Sequence, residues 1–487
     1  MGVSLNPATI LSGQGIDVSS VVQQIIGEQS GQLAVWQGQQ TTLATQEGLL
    51  EGEENNLTSL QTAVAALADP AGALAAQAAG SSDPSVLTAT AQTNAVTATH
   101  SIVVNSLATS GTLYTDPIAA GANTSFLASG QTTGDIKLQV GGSGGATDDI
   151  AITQGSNDTL TTLAAYINTQ STANNWGVTA SVVSDATGSR LALFSQSSGT
   201  GGALSISSNT NTTLNFDTPV GGTDASLTID GVPFSSSSNV VTGAIQGVTL
   251  NLAGPSSGTP AETVQLTVGP DTNQITNAVN NFVSAYNQVV STINSQYVVD
   301  PTGATPAPPL ESDISLRSLQ SSMLTDAAYA IGGNGGLVNL AALGINMNDD
   351  GTLTVGSNAN GETFADILAT NTTAVQSFFQ NASGTGFANN FNTDLTNQTN
   401  PTAGPLNIDL SQDQAEGTDL STSITNFETN LTTQTAALTS QYDSVNASLQ
   451  SYPLLLQEIT ETLGTLGSTT SSSGSSVPSG PILTSGL

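Results

Sequence analysis

The chain has 487 residues, 36 of them acidic and only three basic (Lys137, Arg190, Arg317), giving a net charge of −33, and it contains no cysteine. So large a shortage of cations excludes charge-driven binding to nucleic-acid phosphates or anionic membrane surfaces, and the lack of thiols excludes disulfides, thiolate metal sites and cysteine nucleophiles. Cohesion must come from apolar burial and backbone hydrogen bonds, in a chain long enough for about two to four domains.

The first residues, MGVSLNPATILSGQG, show neither a basic start nor the apolar stretch of a cleaved secretory signal, so no cleaved signal peptide is expected. No run of about 18 apolar residues occurs, because Asp69-Pro70 interrupts the Ala-rich stretch 63–79, and no membrane insertion is expected. Abundant Thr, Ser, Asn and Gln beside scarce Lys point to an extracellular surface protein.

An amphipathic pattern begins at GIDVSSVVQQII (15–26). Over 18–67, Val22, Trp36, Leu43, Leu50, Leu57 and Val64 fall on one heptad register, broken only by Gln29. Ile25, Leu60 and Leu67 hold the companion position at the two ends, with Gln39, Gln46 and Glu53 between them. Sustained heptads predict a coiled-coil-like helix. That helix carries Gly27, Gly31, Gly38, Gly48 and Gly52, each costing about 1 kcal/mol relative to Ala. Each apolar side chain covered by a partner returns about 1.5–3 kcal/mol. The helix is therefore expected to be frayed alone and ordered when packed.

From residue 85 the pattern turns to β. SVLTATA (85–91) and HSIVVNSLA (100–108) have strand composition, and Gly-, Thr- and Asn-rich turns continue through 112–270. One helix, DTLTTLAAYINTQ (158–170), precedes the paired strands GVTASVVSD and SRLALFSQ. Helical spacing resumes over 272–297 (Ile275, Val279, Phe282, Val283, Tyr286, Val289, Val290, Ile293) and continues in 310–330 and 363–380, with a small strand GTLTV at 351–355.

The C-terminal region repeats the opening theme. Ile424, Leu431, Leu438, Val445, Tyr452, Ile459 and Leu466 are seven apart, with Leu420, Phe427 and Leu455 in the companion register. Thr418 or Asp419 is expected to cap this helix, and Pro453 to kink or split it. Two heptad helices thus bracket the chain as natural partners. The Ser- and Gly-rich end is expected to be a flexible tail.

Candidate chemistry is sparse. Gly254-Pro255-Ser256-Ser257-Gly258 fits G-x-S-x-G but lies between strands rather than at a strand-to-helix turn. His100, the single histidine, sits in a strand without supporting motif. Asn348-Asp349-Asp350-Gly351 and Asp300-Pro301-Thr302-Gly303 are fragments of calcium loops without the later bidentate Glu, and GGSGGATDD (141–149) occurs once. Arg317 stands four residues after Asp313, suited to a local ion pair. No cofactor, no metal and no enzyme activity are expected.

At this point the wording of the chain resembles the flagellar hook-associated protein 2 (filament cap) family. GIDVSSVV is similar to that family's N-terminal box, and SSDPSVLTATA with SIVVNSLA to its first β segment. TLTTLAAYIN…GVTASVVSDATGSRLALFS, IDGVPFSSSSNVVTGAIQGVTLNL, FVSAYN, PLESDISLRSLQSSM and LAALGINMNDDGTLTV continue the resemblance in order. It implies an α+β multidomain fold: terminal coiled-coil-like helices packed as a leg, a mixed helix and strand domain, and β-rich head domains. The expected units are 1–45 (helical, disordered when free), 46–80 with 272–415 (helix-rich leg), 81–111 with 224–271 (β-rich head), 112–223 (inserted head with one helix), 416–466 (heptad helices) and 467–487 (tail).

The resemblance also implies a role and partners. The protein would cap the distal tip of the flagellum as a ring homo-oligomer, a pentamer, holding exported flagellin while it folds and inserts. A type III export chaperone would bind the C-terminal helix, and some members of the family adhere to mucin or other glycans. Where such proteins carry Lys or Arg on the N-terminal helix, this chain has Gln, Thr and Ser, which leaves charge-based adhesion to acidic mucin without its cations. The expected interface packs Val22, Ile25, Trp36, Leu43, Leu50 and Leu57 against Leu420, Ile424, Phe427, Leu431, Leu438 and Val445. Alternatives are a glycan-binding surface adhesin and another hook–filament junction protein.

Overall fold

The computed structural model describes residues 16–142, 145–298, 300–304, 306–381 and 383–469, with side chains as far as 465. The expected tail beyond Thr469, the opening fifteen residues, part of the Gly-rich stretch at 141–149 and the side chain of Leu466 lie outside the described residues. The architecture is α+β and multidomain, with three separate apolar cores.

The chain opens with α1 (Val18–Gln29) and α2 (Gly31–Ala68). Asp17 caps α1 by accepting from the Ser20 N–H at 3.2 Å. The break at Ser30 falls beside Gln29, the one polar residue in the heptad register. Strands β1 (Gln77–Ser81), β2 (Leu87–Ala91) and β3 (Ala98–Ser106) follow. Next come β4 (Ser110–Tyr114), β5 (Thr133–Val140), β6 (Ala146–Thr153), α3 (Leu160–Asn174), β7 (Val178–Asp185), β8 (Gly188–Ser198) and β9 (Leu204–Thr210). The chain then returns through β10 (Ala225–Ile229), β11 (Val232–Ser236), β12 (Val240–Ile245), β13 (Val248–Leu252) and β14 (Val264–Pro270).

A five-stranded antiparallel sheet, β1-β14-β3-β10-β11, shares one core with the three-stranded β12-β13-β2. Its β10–β11 hairpin turns on Asp230-Gly231, both at positive φ (52° and 82°), the Asp-Gly pair that a two-residue mirror-image turn requires. The segment between β3 and β10 builds a second β unit, β4-β8-β7 and β6-β5-β9, whose core also takes Leu163 and Ile167 of α3.

The remaining elements are helical apart from one small hairpin: α4 (Thr272–Ser295), α5 (Ile314–Ala327), β15 (Ile345–Met347), β16 (Leu353–Val355), α6 (Phe364–Phe379), α7 (Phe387–Gln398) and α8 (Pro405–Thr469). The eight apolar residues read at helical spacing in 272–297 are all buried along α4, the hub of this unit. Around it lies an aromatic cluster in which Phe282, Tyr286, Phe378, Phe379, Phe387 and Phe391 meet mainly edge to face, the arrangement ring quadrupoles favour. The second half of α2 closes the same core through Leu50, Leu57, Leu60, Val64 and Leu67.

Two expectations need correction, and one helix carries no readable apolar period. The C-terminal helix starts at Pro405, not at Thr418 or Asp419, because Pro at the first helical position forfeits no intrahelical bond and the Gly404 carbonyl accepts from Ile408. Pro453 lies inside this 65-residue helix, which neither ends nor splits there. Helix α7 was unread: its buried Phe387, Phe391 and Leu395 are single apolar residues among Asn and Thr.

Candidate functional site: the terminal helical leg

Helices α1 and α2 run antiparallel to α8. The Ile16 N–H donates to Asn446 Oδ1 at 2.7 Å, the rings of Trp36 and Phe427 meet edge to face at 5.4 Å, and Gly417 faces Glu47. The paired numbers advance and retreat in step at each point, so the helices stay in register across the break at Ser30. A Cβ on Gly417 would stand 3.3 Å from Glu47 Oε1, so the small residue permits the close approach.

Of the expected interface residues, Val22, Leu43, Ile424 and Leu431 are buried in this pairing. Ile25, Trp36, Leu420, Phe427 and Leu438 are half-buried. Leu50 and Leu57 are buried elsewhere, in the α4-centred core with Leu406 of α8, because α8 begins early enough to supply partners upstream of residue 416. Val445 is 48% exposed, whereas Tyr442, Asn446 and Leu449 are half-buried. An α-helix of 3.6 residues per turn drifts about 20° per heptad. Three heptads past Ile424 the strict register has rotated off the seam.

From Tyr452 onward no described residue covers the large apolar side chains of this helix. Tyr452, Leu454, Leu455, Leu456, Ile459 and Leu463 are all exposed, Leu454 at 69%. All but Leu454 fall on one side of the helix, within an arc of about 100° at 3.6 residues per turn, and an exposed apolar stripe of this kind marks a contact surface. The leg surface is acidic. Asp413 is pushed above the usual carboxylate range by partial burial and then by Asp409, Glu47, Asp313 and Glu416 around it. Arg317, the unit's one cation by sequence, does not pair with Asp313, as spacing suggested. Asp313 caps α5 by accepting from Leu316 N–H at 2.8 Å, and Arg317 donates to the Glu311 carbonyl and lies over the Tyr297 ring.

The sequence candidates for chemistry have structural roles. His100 Nδ1 lies 2.7 Å from Asp230 Oδ2, and Asp230 also accepts from Ser101 N–H, which ties the hairpin turn to β3. The histidine and that N–H hold the Asp230 carboxyl below its usual range. Ser256 Oγ accepts from Val104 N–H at 3.1 Å, so it is held against a strand rather than presented at a turn. Asp300 and Asp350 each accept from the Thr two residues on, closing ordinary Asx turns. Among the described residues no group of three or more His, Asp or Glu could hold a metal, and no helix is long and apolar enough to cross a membrane.

The families described as flagellar hook-associated protein 2 N-terminus and C-terminus match residues 14–111 and 222–452. The B-type flagellar hook-associated protein 2 of Pseudomonas aeruginosa is 33% identical over 353 residues, covering 67% of this chain and 70% of the relative. The polar flagellar hook-associated protein 2 of Vibrio parahaemolyticus is 33% identical over 171 residues, 34% of this chain and 24% of that protein. Among solved structures, the D1-D2-D3 domains of the flagellar cap protein FliD from Escherichia coli superpose with a TM-score of 0.56 at 24% identity, covering 75% of this chain and 99% of that one. That likeness bears on the fold.

Proposed function

Because the chain belongs to the flagellar hook-associated protein 2 family, we propose that it caps the distal tip of the bacterial flagellar filament. It is a structural protein, not an enzyme. Its work is mechanical: the two terminal helices dock the molecule into the filament end, and the β-rich units form a plate that retains exported flagellin until it folds and inserts. Copies of the chain assemble as a ring, for which we propose five subunits. Before assembly, an export chaperone covers the C-terminal helix.

The observation that carries this reading is the end of α8. A helix end that leaves an apolar stripe exposed in a single chain is matched to a site made by other subunits. The near absence of cations suits such docking, since self-association then depends on apolar contact, with at most three basic side chains to form ion pairs. The residue assignments within the leg, Trp36 with Phe427 and Leu43 with the α8 seam, are part of the proposal. Electron microscopy of the purified chain mixed with filaments tests it: ring-shaped densities at filament ends are expected, and filament ends left bare at saturating protein would refute it.

A further inference from the structure

Three carboxylates of the helical unit lie away from any cation. Glu53, on α2, is 1% exposed; Asn56 Nδ2 donates to its Oε2 at 3.0 Å, and its Oε1 has no hydrogen-bond partner. It occupies the seam position shared by Leu60 and Leu67, both buried. Asp326, in the last turn of α5, is 3% exposed and its Oδ2 has no partner. Asp394 on α7 brings a second carboxyl beside it, whose charge disfavours the ionised form of Asp326. A like charge beside a buried carboxyl favours its protonated form. The carbonyl end of α5 disfavours negative charge there as well.

The helices packed at these sites offer no compensation. None of α2, α4, α7 and α8 contains Lys, Arg or His. Their ionisable side chains near the core are phenolic or acidic: Tyr286 on α4, Glu54 on α2, Asp394 on α7, and Asp409 and Asp413 on α8. Tyr286, whose own pKa burial raises, faces Asp326 and donates to the Met323 carbonyl. Arg317 of α5 is engaged by Glu311 and Tyr297.

We propose that the α4-centred core folds with two bound protons, one on Glu53 and one on Asp326, and that losing them loosens this core while the two β cores stay intact. Burial raises Glu53 to about 7 from 4.5, opposed by Asn56. Burial, then Asp394, raises Asp326 to about 8 from 3.8. A folded-state pKa above the unfolded one means the folded state binds more protons across that window. Stability is then full at low pH and falls as pH rises from the unfolded value to the folded one. For each site that titrates, the opening equilibrium rises about tenfold per pH unit.

Hydrogen exchange of the full chain between pH 5 and 9, corrected for intrinsic exchange rates, reads this directly. The opening constants of amides in α2, α4, α5 and α7 are expected to rise at least about tenfold per pH unit between pH 5 and 7, while those of β3, β8 and β13 stay level. Glu53→Gln with Asp326→Asn is expected to flatten the helical profile. A flat profile in the unaltered chain, or an equal rise in the β strands, overturns the proposal. Should the double variant fail to fold, infrared difference spectra of the unaltered chain decide: protonated carboxyl absorption at pH 6.5 supports the proposal, and its absence refutes it.

Discussion

Trp36 and Phe427 are the aromatic contact between the first and last helices, edge to face at 5.4 Å and half-buried. Such a ring pair couples by about 0.5–1.5 kcal/mol beyond the area it buries. A double-mutant cycle of Trp36→Ala and Phe427→Ala, followed by the helical circular dichroism signal in urea, is expected to return a coupling in that range. Additive losses would mean that the helices do not meet there in solution. Glu53 shows how a single residue can be visible in the sequence and still be misread: it stood on the companion register seven residues before Leu60, which already placed it on the seam. What the sequence did not reveal was the depth of the site, set by α4 packing from more than two hundred residues away.

At the scale of elements, the glycines of α1 and α2 make a testable case. A Cβ built on Gly38, Gly48 or Gly52 meets nothing within 4 Å, so no close packing demands glycine there. Their effect is to weaken the helix. Replacing all three by Ala is expected to stabilise the leg by roughly 2–3 kcal/mol, read as a higher urea midpoint. An unchanged midpoint would show that the segment is held by packing alone. Elements with a long apolar period were legible: α4 stands where its eight apolar residues placed it. The β7–β8 pair likewise forms from the two strands read at 177–185 and 189–196. Those with sparse apolar residues were not, as α7 shows. Heptad reasoning also overran its range in α8, since helical drift turned Val445 outward and brought Tyr442 and Leu449 in.

For the whole molecule, the sequence marked the ends more clearly than the middle. Both termini carried the period that brings α1 and α2 onto α8. By contrast, the division of the β strands among five sheets depends on pairings such as β3 with β14, which no local pattern encodes. The account as a whole stands on the leg being the part that docks. Leu43 is buried in the pairing, and an unpaired carboxylate there costs about 3–5 kcal/mol. The most direct test replaces the native chain in flagellated cells by its Leu43→Asp variant and measures filament length against flagellin shed into the medium. Trp176 fluorescence serves as the check that the β-rich unit remains folded. The account predicts short or absent filaments with flagellin lost to the medium. Filaments of normal length with no excess shedding would contradict it.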